Sequence, residues 1–303
     1  MDSISSLHPP KIPLSDEEFA LLHELIYQHC GLRFDPQNKM LLESRLQPRL
    51  RQCQCGSFRD YYLYLRYDRR REEELAECID LVAIHETYFF REMNQLTDFT
   101  QELIPEFQQR PHQSKTLRIW SAGCSTGEEP YSLAMLLLDV PALRGWDITI
   151  LATDISPRVL QQARRGIYRE SSFRVMDPGY LSRYFEPAPG GMRLLEPPRQ
   201  LVTFLCVNLF DQQRQGLIWG MDFIFCRNVM IYFDAAAKQR VAELFYDKLN
   251  PKGCLLLGHA ESLLNISTAF QLRHLRHDLV YQKPAALSQA AAIAARADRG
   301  KPS

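Results

Sequence analysis

The chain of 303 residues carries 36 Lys plus Arg against 36 Asp plus Glu, with 46% hydrophobic residues. Balanced charge excludes an overall field that steers the molecule to nucleic acid or a membrane, so an electrostatic partner must be met by a local patch. The length suits roughly two domains, and with no leader-like N-terminus and no apolar run longer than LAMLLL at 133–138 the chain reads as cytoplasmic.

The first third is helical. SDEEFALLHELIYQHCG opens on a capping box, Ser15 with Glu18, and Gly31 supplies the stop. DPQNKMLLESRLQPRLRQ follows, capped by Asp35 with Pro36 in its first turn, and Pro48 is expected to kink or end it. SFRDYYLYLRYD and REEELAECIDLVAI are further helical stretches, and MNQLTDFTQELIPEFQQR reads as the helix leading onward. From about residue 115 short apolar runs alternate with helices. LRIWSA, ITILATD, LVTFLCVN, MDFIFCRN, GCLLLGHA and LVYQK read as strands. PYSLAMLLLD, SPRVLQQARRG and DAAAKQRVAELFYDKL read as the helices between them, which indicates a mostly parallel sheet covered on both faces. Residues 168–200, containing EPAPGGMRLLEPPRQL, are too long and too rich in Pro and Gly for a simple crossover and predict a small hairpin insertion. The eight cysteines are scattered, and most sit among apolar neighbours that suit reduced core positions. Cys53 and Cys55 form a lone CxC without a second pair, which reads as two thiols rather than zinc ligands.

In such folds ligands sit beyond the C-terminal ends of the strands, and the chemistry of the chain gathers there. The first strand runs into GCSTGEEPY, where Gly123 and Gly127 permit close backbone approach and Pro130 opens a helix. Glu128 and Glu129 at that helix start disfavour phosphate and suit a cationic amino or sulfonium group; the alternative is that they serve the helix dipole. Asp154 ends the second strand, where a carboxylate meets a ribose diol or else caps the next helix. At the third tip Asn208 and the backbone near Leu209 offer partners for an adenine edge. The fourth tip, FIFCRNVMIYFD, presents Arg227, Asn228 and Tyr232. Upstream, IHETYFFRE places Thr87 and Arg91 where they close over the pocket, and two converging arginines argue for a carboxylate or phosphate acceptor. His85 and Glu86, with only His259 and Glu261 as distant companions, do not make a metal set, so no metal is expected.

HETYFFRE, SAGCSTGEEPYS, ATDIS, ARRGIY, VNLFD, FCRNVMIYFD and GHAESL, in this order and spacing, closely resemble the CheR-type chemotaxis protein-glutamate O-methyltransferases over about residues 15–283. The resemblance implies a Rossmann-like class I α/β methyltransferase domain with a mostly parallel seven-stranded sheet, an all-α N-terminal domain and a small inserted β-subdomain. The matching boundaries are 1–80 for the helical domain, 81–114 for a linker helix and cofactor lid, 115–284 for the methyltransferase domain with its insertion at 168–200, and 285–303 for an Ala-rich tail. It implies S-adenosylmethionine as cofactor and S-adenosylhomocysteine as product. His85, Thr87 and Arg91 become lid contacts to the cofactor, Glu128 or Glu129 the acidic contact of the glycine loop, and Asp154 the ribose partner. Asn208 and Leu209 become the adenine side, with Cys226, Arg227 and Asn228 as further cofactor contacts. Arg91, Arg227 and Tyr232 become the catalytic residues around the transferred methyl and the incoming glutamate.

The reaction so implied is methylation of glutamate carboxylates of chemoreceptor-type signalling proteins in adaptation. The alternatives are a chemosensory-like pathway with another output, or a small-molecule carboxyl methyltransferase. A glutamate of ordinary pKa, about 4.3, is ionised at neutral pH, so no general base is needed and alignment in a dry site carries the rate. The expected partner is the receptor's cytoplasmic helices, met through the basic residues Arg45, Arg49 and Arg51. A receptor C-terminal pentapeptide pairs with the β-subdomain in some relatives; here Gly190, Gly191 and the prolines around them bear against it. No nucleic acid and no membrane insertion are expected.

Overall fold

The computed structural model describes residues 11–110, 114–211 and 215–285; the Ala-rich tail beyond lies outside the described residues. Four helices come first: α1 Asp16–Cys30, α2 Lys39–Gln52, α3 Phe58–Tyr67 and α4 Arg71–Val82. Both halves of the Ser15–Glu18 capping box form, and Gly31 ends α1 at φ 74°. A side chain there would meet the ring of Phe210 at 2.2 Å, so the glycine also lets the helical domain approach its neighbour. The helix does not end at Pro48: α2 continues to Gln52. Leu42, Leu46 and Leu50 are all buried in one core with Leu22, Ile26, Phe58, Tyr61 and Ile79, and their packing outweighs the one backbone hydrogen bond that proline withholds.

The chain then turns through residues 84–92 into α5 Met93–Asp98, a π-helical stretch Phe99–Leu103 and α6 Ile104–Gln108. Phe99 packs edge-on to Phe223 and Phe225, seating this run on the central sheet. The sheet has seven strands in the order β6-β2-β1-β7-β8-β10-β9. The strands are β1 Thr116–Ala122, β2 Asp147–Asp154, β6 Val202–Cys206, β7 Met221–Cys226, β8 Leu249–Leu257, β9 Gln271–His274 and β10 Leu279–Gln282. Pairings from β6 through β8 are parallel, and β10 runs antiparallel to both β8 and β9. β7 is buried at every position, as a central parallel strand covered on both faces requires. Helices α7 Glu128–Leu138, α8 Pro157–Arg165 and α11 Ala235–Lys248 connect the strands.

The insertion is richer than a hairpin. β3 Ile167–Tyr168 pairs with β5 Gly191–Leu194, which pairs with β4 Phe185–Ala188, and α9 Pro178–Tyr184 and α10 Glu196–Gln200 flank them. Gly191 stands at φ 149°, and a Cβ there would lie 2.0 Å from the carbonyl oxygen of Tyr168, so the β3–β5 contact admits only glycine. Among the described residues no helix is long and apolar enough to cross a membrane.

The helical domain docks on the strand ends through polar contacts. Asp80, at the end of α4, accepts from the Ser156 hydroxyl and pairs with Arg158 at 2.5 Å. Asn208 donates to the carbonyl of His29 at 2.7 Å, and Tyr27 donates to Asp234 at 2.9 Å. These contacts close a pocket over the C-terminal ends of β1, β2, β6 and β7.

Candidate active site

One cavity is lined by His85, Thr87, Arg91, Glu129, Asp154, Asn208, Leu209, Arg227, Asn228 and Tyr232, together with Gly123 and Phe90. The sequence-predicted residues are thus brought together from five separate segments, with two exceptions. Glu128 points away: its carboxylate accepts from Thr126 at 2.6 Å and from Ser172 of the insertion at 2.9 Å. Successive residues on a helix face about 100° apart, so only one of the pair can face the cavity, and it is Glu129. Cys226 is wholly buried in the core between the sheet and α11 and lies outside the cavity wall. The inward alternation of β7 puts it there, and burial raises its thiol well above the ordinary range.

The glycines divide their work. Gly123, at φ 80°, would put a Cβ 2.3 Å from Val229, so its absence lets the first and fourth loops meet at the cavity wall. Gly127, at φ 95°, instead lets the start of α7 pack on Ala163. Asp154 accepts from the backbone N–H of Ser125 at 2.9 Å and of Ser156 at 3.0 Å; Ser156 itself caps α8. Burial raises the Asp154 carboxyl above its usual value, against those N–H donors and the nearby His85.

Arg227 is deeply enclosed, with its side chain 2% exposed. It reaches Glu92 at 3.1 Å and Glu129 at 3.4 Å and donates to the carbonyl of Arg91. Burial pushes Glu129 up, and Arg227 partly offsets this; on Glu92 burial also acts upward, but Arg227 and His259 outweigh it and the carboxyl lies below its usual value. Arg91 differs. Its Nη1 donates to the carbonyl of Glu86 at 3.1 Å, and among the described residues no carboxylate pairs with it. Tyr232 stands on the same wall, its phenol raised by burial and so protonated at neutral pH.

Two residues carry more than the sequence reading gave them. Glu92 was visible only as the end of HETYFFRE, and its charge complement to Arg227 was the available signal. Glu261 serves the loop instead: its half-buried carboxylate accepts from the backbone N–H of Asn228, Val229, Ile231 and Gly258. It thereby holds Asn228 at φ 60°, a left-handed conformation that asparagine tolerates better than most residues. In the basic run, Arg49 is turned inward onto Glu74 and Arg45 donates to the carbonyl of Val82 at 2.9 Å. Only Arg51 is exposed. The three arginines expected to meet a partner therefore differ in exposure, because Arg45 and Arg49 also serve bonds within the helical domain.

Residues 85–279 match the family model described as CheR methyltransferase, SAM binding domain, and residues 17–83 match CheR methyltransferase, all-alpha domain. The chain belongs to the CheR methyltransferase family. It is 38% identical over 277 residues to chemotaxis protein methyltransferase 2 of Vibrio cholerae, covering 90% of this chain and 95% of that one. It is 35% identical over 267 residues to the chemotaxis protein methyltransferase of Salmonella typhimurium, covering 87% and 90%.

As a CheR methyltransferase the protein is an enzyme that uses S-adenosylmethionine, and its cavity suits that cofactor chemically. The cofactor carries an ammonium, a ribose diol and an adenine amino group, all donors, and a sulfonium. The wall offers the carboxylates of Glu129 and Asp154, and the buried Oδ1 of Asn228 has no hydrogen-bond partner among the described residues. An unpaired buried acceptor is costly and marks a place where a donor arrives.

Proposed function

We propose that this enzyme methylates the side-chain carboxylate of glutamates on a chemoreceptor-type signalling protein, giving glutamyl methyl esters. The observation that carries the reading is Arg91: a guanidinium on the cavity wall with no carboxylate partner among the described residues, beside Arg227, whose carboxylates are already in place. A forked guanidinium is the natural seat for an incoming carboxylate. The names of the relatives, chemotaxis protein methyltransferases, support the same partner.

When bound, S-adenosylmethionine supplies a methyl group activated by the sulfonium. Glu129 and Asp154 receive its donors, with Asn208 and Leu209 on the side toward α1 and His85 and Thr87 in the lid. Arg91 holds the acceptor carboxylate, and the protonated Tyr232 hydroxyl donates to it. Arg227 is a positioning residue: it fixes the Arg91 backbone and Glu129 together. The acceptor arrives ionised, so no residue need remove a proton. Arg91 stabilises the carboxylate charge as well as directing it, so its contribution is alignment rather than activation. Phe90, Leu96 and Val229 keep the wall apolar, and exclusion of water favours a step in which two opposite charges are neutralised.

Arg91→Ala is expected to lower kcat/KM for the acceptor by about 100-fold, the scale of a lost alignment. Near-native turnover at saturating cofactor would remove Arg91 from the reaction.

A further inference from the structure

The inserted segment reaches the pocket mouth through one side chain. Arg174 follows the 3-10 turn Glu170–Phe173, and its guanidinium lies 3.7 Å from the ring centroid of Tyr88. The guanidinium of Arg91 lies 5.6 Å from the same ring. One internal residue engages both arginines: Glu86 accepts from Arg174 Nη2 through its carboxylate at 2.9 Å and from Arg91 Nη1 through its carbonyl at 3.1 Å. The Arg174 and Glu86 side chains are 45% and 67% exposed, and an ion pair so open to water is weak and readily exchanged. The geometry itself is held firmly. Phe89 N–H donates to the carbonyl of Ser172 at 2.9 Å and the Phe89 ring stacks on Phe173, so the segment bearing Arg174 is pinned to the segment bearing Arg91.

Two guanidiniums within 6 Å of one ring centroid form a mouth with two carboxylate seats. The two ring distances put the guanidinium carbons at most about 9 Å apart, and on a helix residues three or four apart place their Cβ atoms about 5–6 Å apart on one face, within that bound. We infer that Arg174 is a specificity-determining residue that reads a second acidic side chain on the acceptor helix, one turn from the glutamate held at Arg91. Glu86 fills that second seat until the acceptor displaces it. The inference rests on the acceptor being a helical protein glutamate, as proposed above; it adds a rule about which glutamates are taken.

The test uses the full-length enzyme and a helical-hairpin chemoreceptor fragment with a single acceptor glutamate. The position one turn away on the same face is varied among Glu, Gln and Lys. Wild type is expected to prefer Glu over Gln there by about threefold to fivefold in kcat/KM, the scale of an exposed ion pair. In Arg174→Ala the ratio falls to about one, and in Glu86→Gln the KM for the acidic-pair fragment falls. Arg174→Glu inverts the preference toward Lys, which a merely structural role for Arg174 would not produce. Transfer by wild type without any preference, or a preference that survives Arg174→Ala and Arg174→Glu, overturns the inference alone. Absence of transfer to every fragment overturns the receptor reading and the inference with it.

Discussion

At the scale of single residues, Glu129 sets the pH behaviour of the site. Burial raises its carboxyl above the ordinary 4.5, with Arg227 opposing. The folded protein therefore takes up this proton at higher pH than the unfolded chain does, so the ionised form costs stability, and that cost is relieved as pH falls through the raised value. In the reading proposed above Glu129 receives the ammonium of the cofactor, and binding then has the opposite requirement, because that contact needs the ionised form. Titration calorimetry with S-adenosylhomocysteine should show affinity declining from neutral pH into the mildly acidic range, earlier than a carboxylate of pKa 4.5 would give. Glu129→Gln should bind about tenfold more weakly and flatten that decline, a loss of about 1.4 kcal/mol. An unchanged profile in Glu129→Gln would move the acidic contact elsewhere. The sequence placed the glutamate pair at a helix start but could not choose between them, because the choice depends on which helix face α7 turns toward the insertion, and Ser172 and Thr126 claim Glu128.

Among the elements, the loop between β7 and α11 shows how a site is held from behind. Four backbone N–H groups converge on Glu261, and Asn228 and Tyr232 take their places on the cavity wall from that loop. Burial raises the Glu261 carboxyl although those N–H groups favour its charge. Glu261→Ala removes the shared acceptor of four backbone donors, only that of Gly258 on a buried residue, and should cost roughly 2 kcal/mol in denaturant unfolding, with cofactor affinity reduced as well. Retention of both would show that the loop keeps its shape unaided. The strands and helices around this loop were legible in the sequence, since β1, β2, β6, β7 and β10 coincide with its apolar runs and α7, α8 and α11 with its periodic ones. Three features were not. β9, QLRH, is a short edge strand with little burial, so it lacks an apolar signature. The π-helical stretch Phe99–Leu103 arises from tertiary seating of Phe99 on the sheet rather than from any local signal. Continuity of α2 through Pro48 likewise depends on a core that only the fold assembles.

For the whole molecule, the helical domain and the insertion both converge on the segment 84–92. The helical domain reaches it through α4, Asp80 and His85, and the insertion through Ser172, Phe173 and Arg174. The order of motifs made this three-part organisation readable in advance. It could not show that the insertion is bonded to the segment 84–92, which needs contacts between residues more than 80 positions apart. At the outer edge of the inserted sheet, β4 presents its free side next to Pro187, which has no N–H to offer an added strand. Methylation is accordingly expected to proceed without a receptor C-terminal peptide. Calorimetry with such a pentapeptide should register no binding, whereas micromolar binding that is lost on deleting the β4–β5 hairpin would establish tethering.

The central claim, that a carboxylate receives the methyl group, is tested most directly by incubating the enzyme with S-adenosylmethionine labelled in its methyl group and chemoreceptor cytoplasmic fragments, then treating the isolated fragments with mild base. Carboxyl methylation predicts incorporated label that is released as volatile methanol and that fails to appear when the acceptor glutamates are replaced by alanine. Label that resists base, as an N-methyl group would, or that persists without those glutamates, contradicts it.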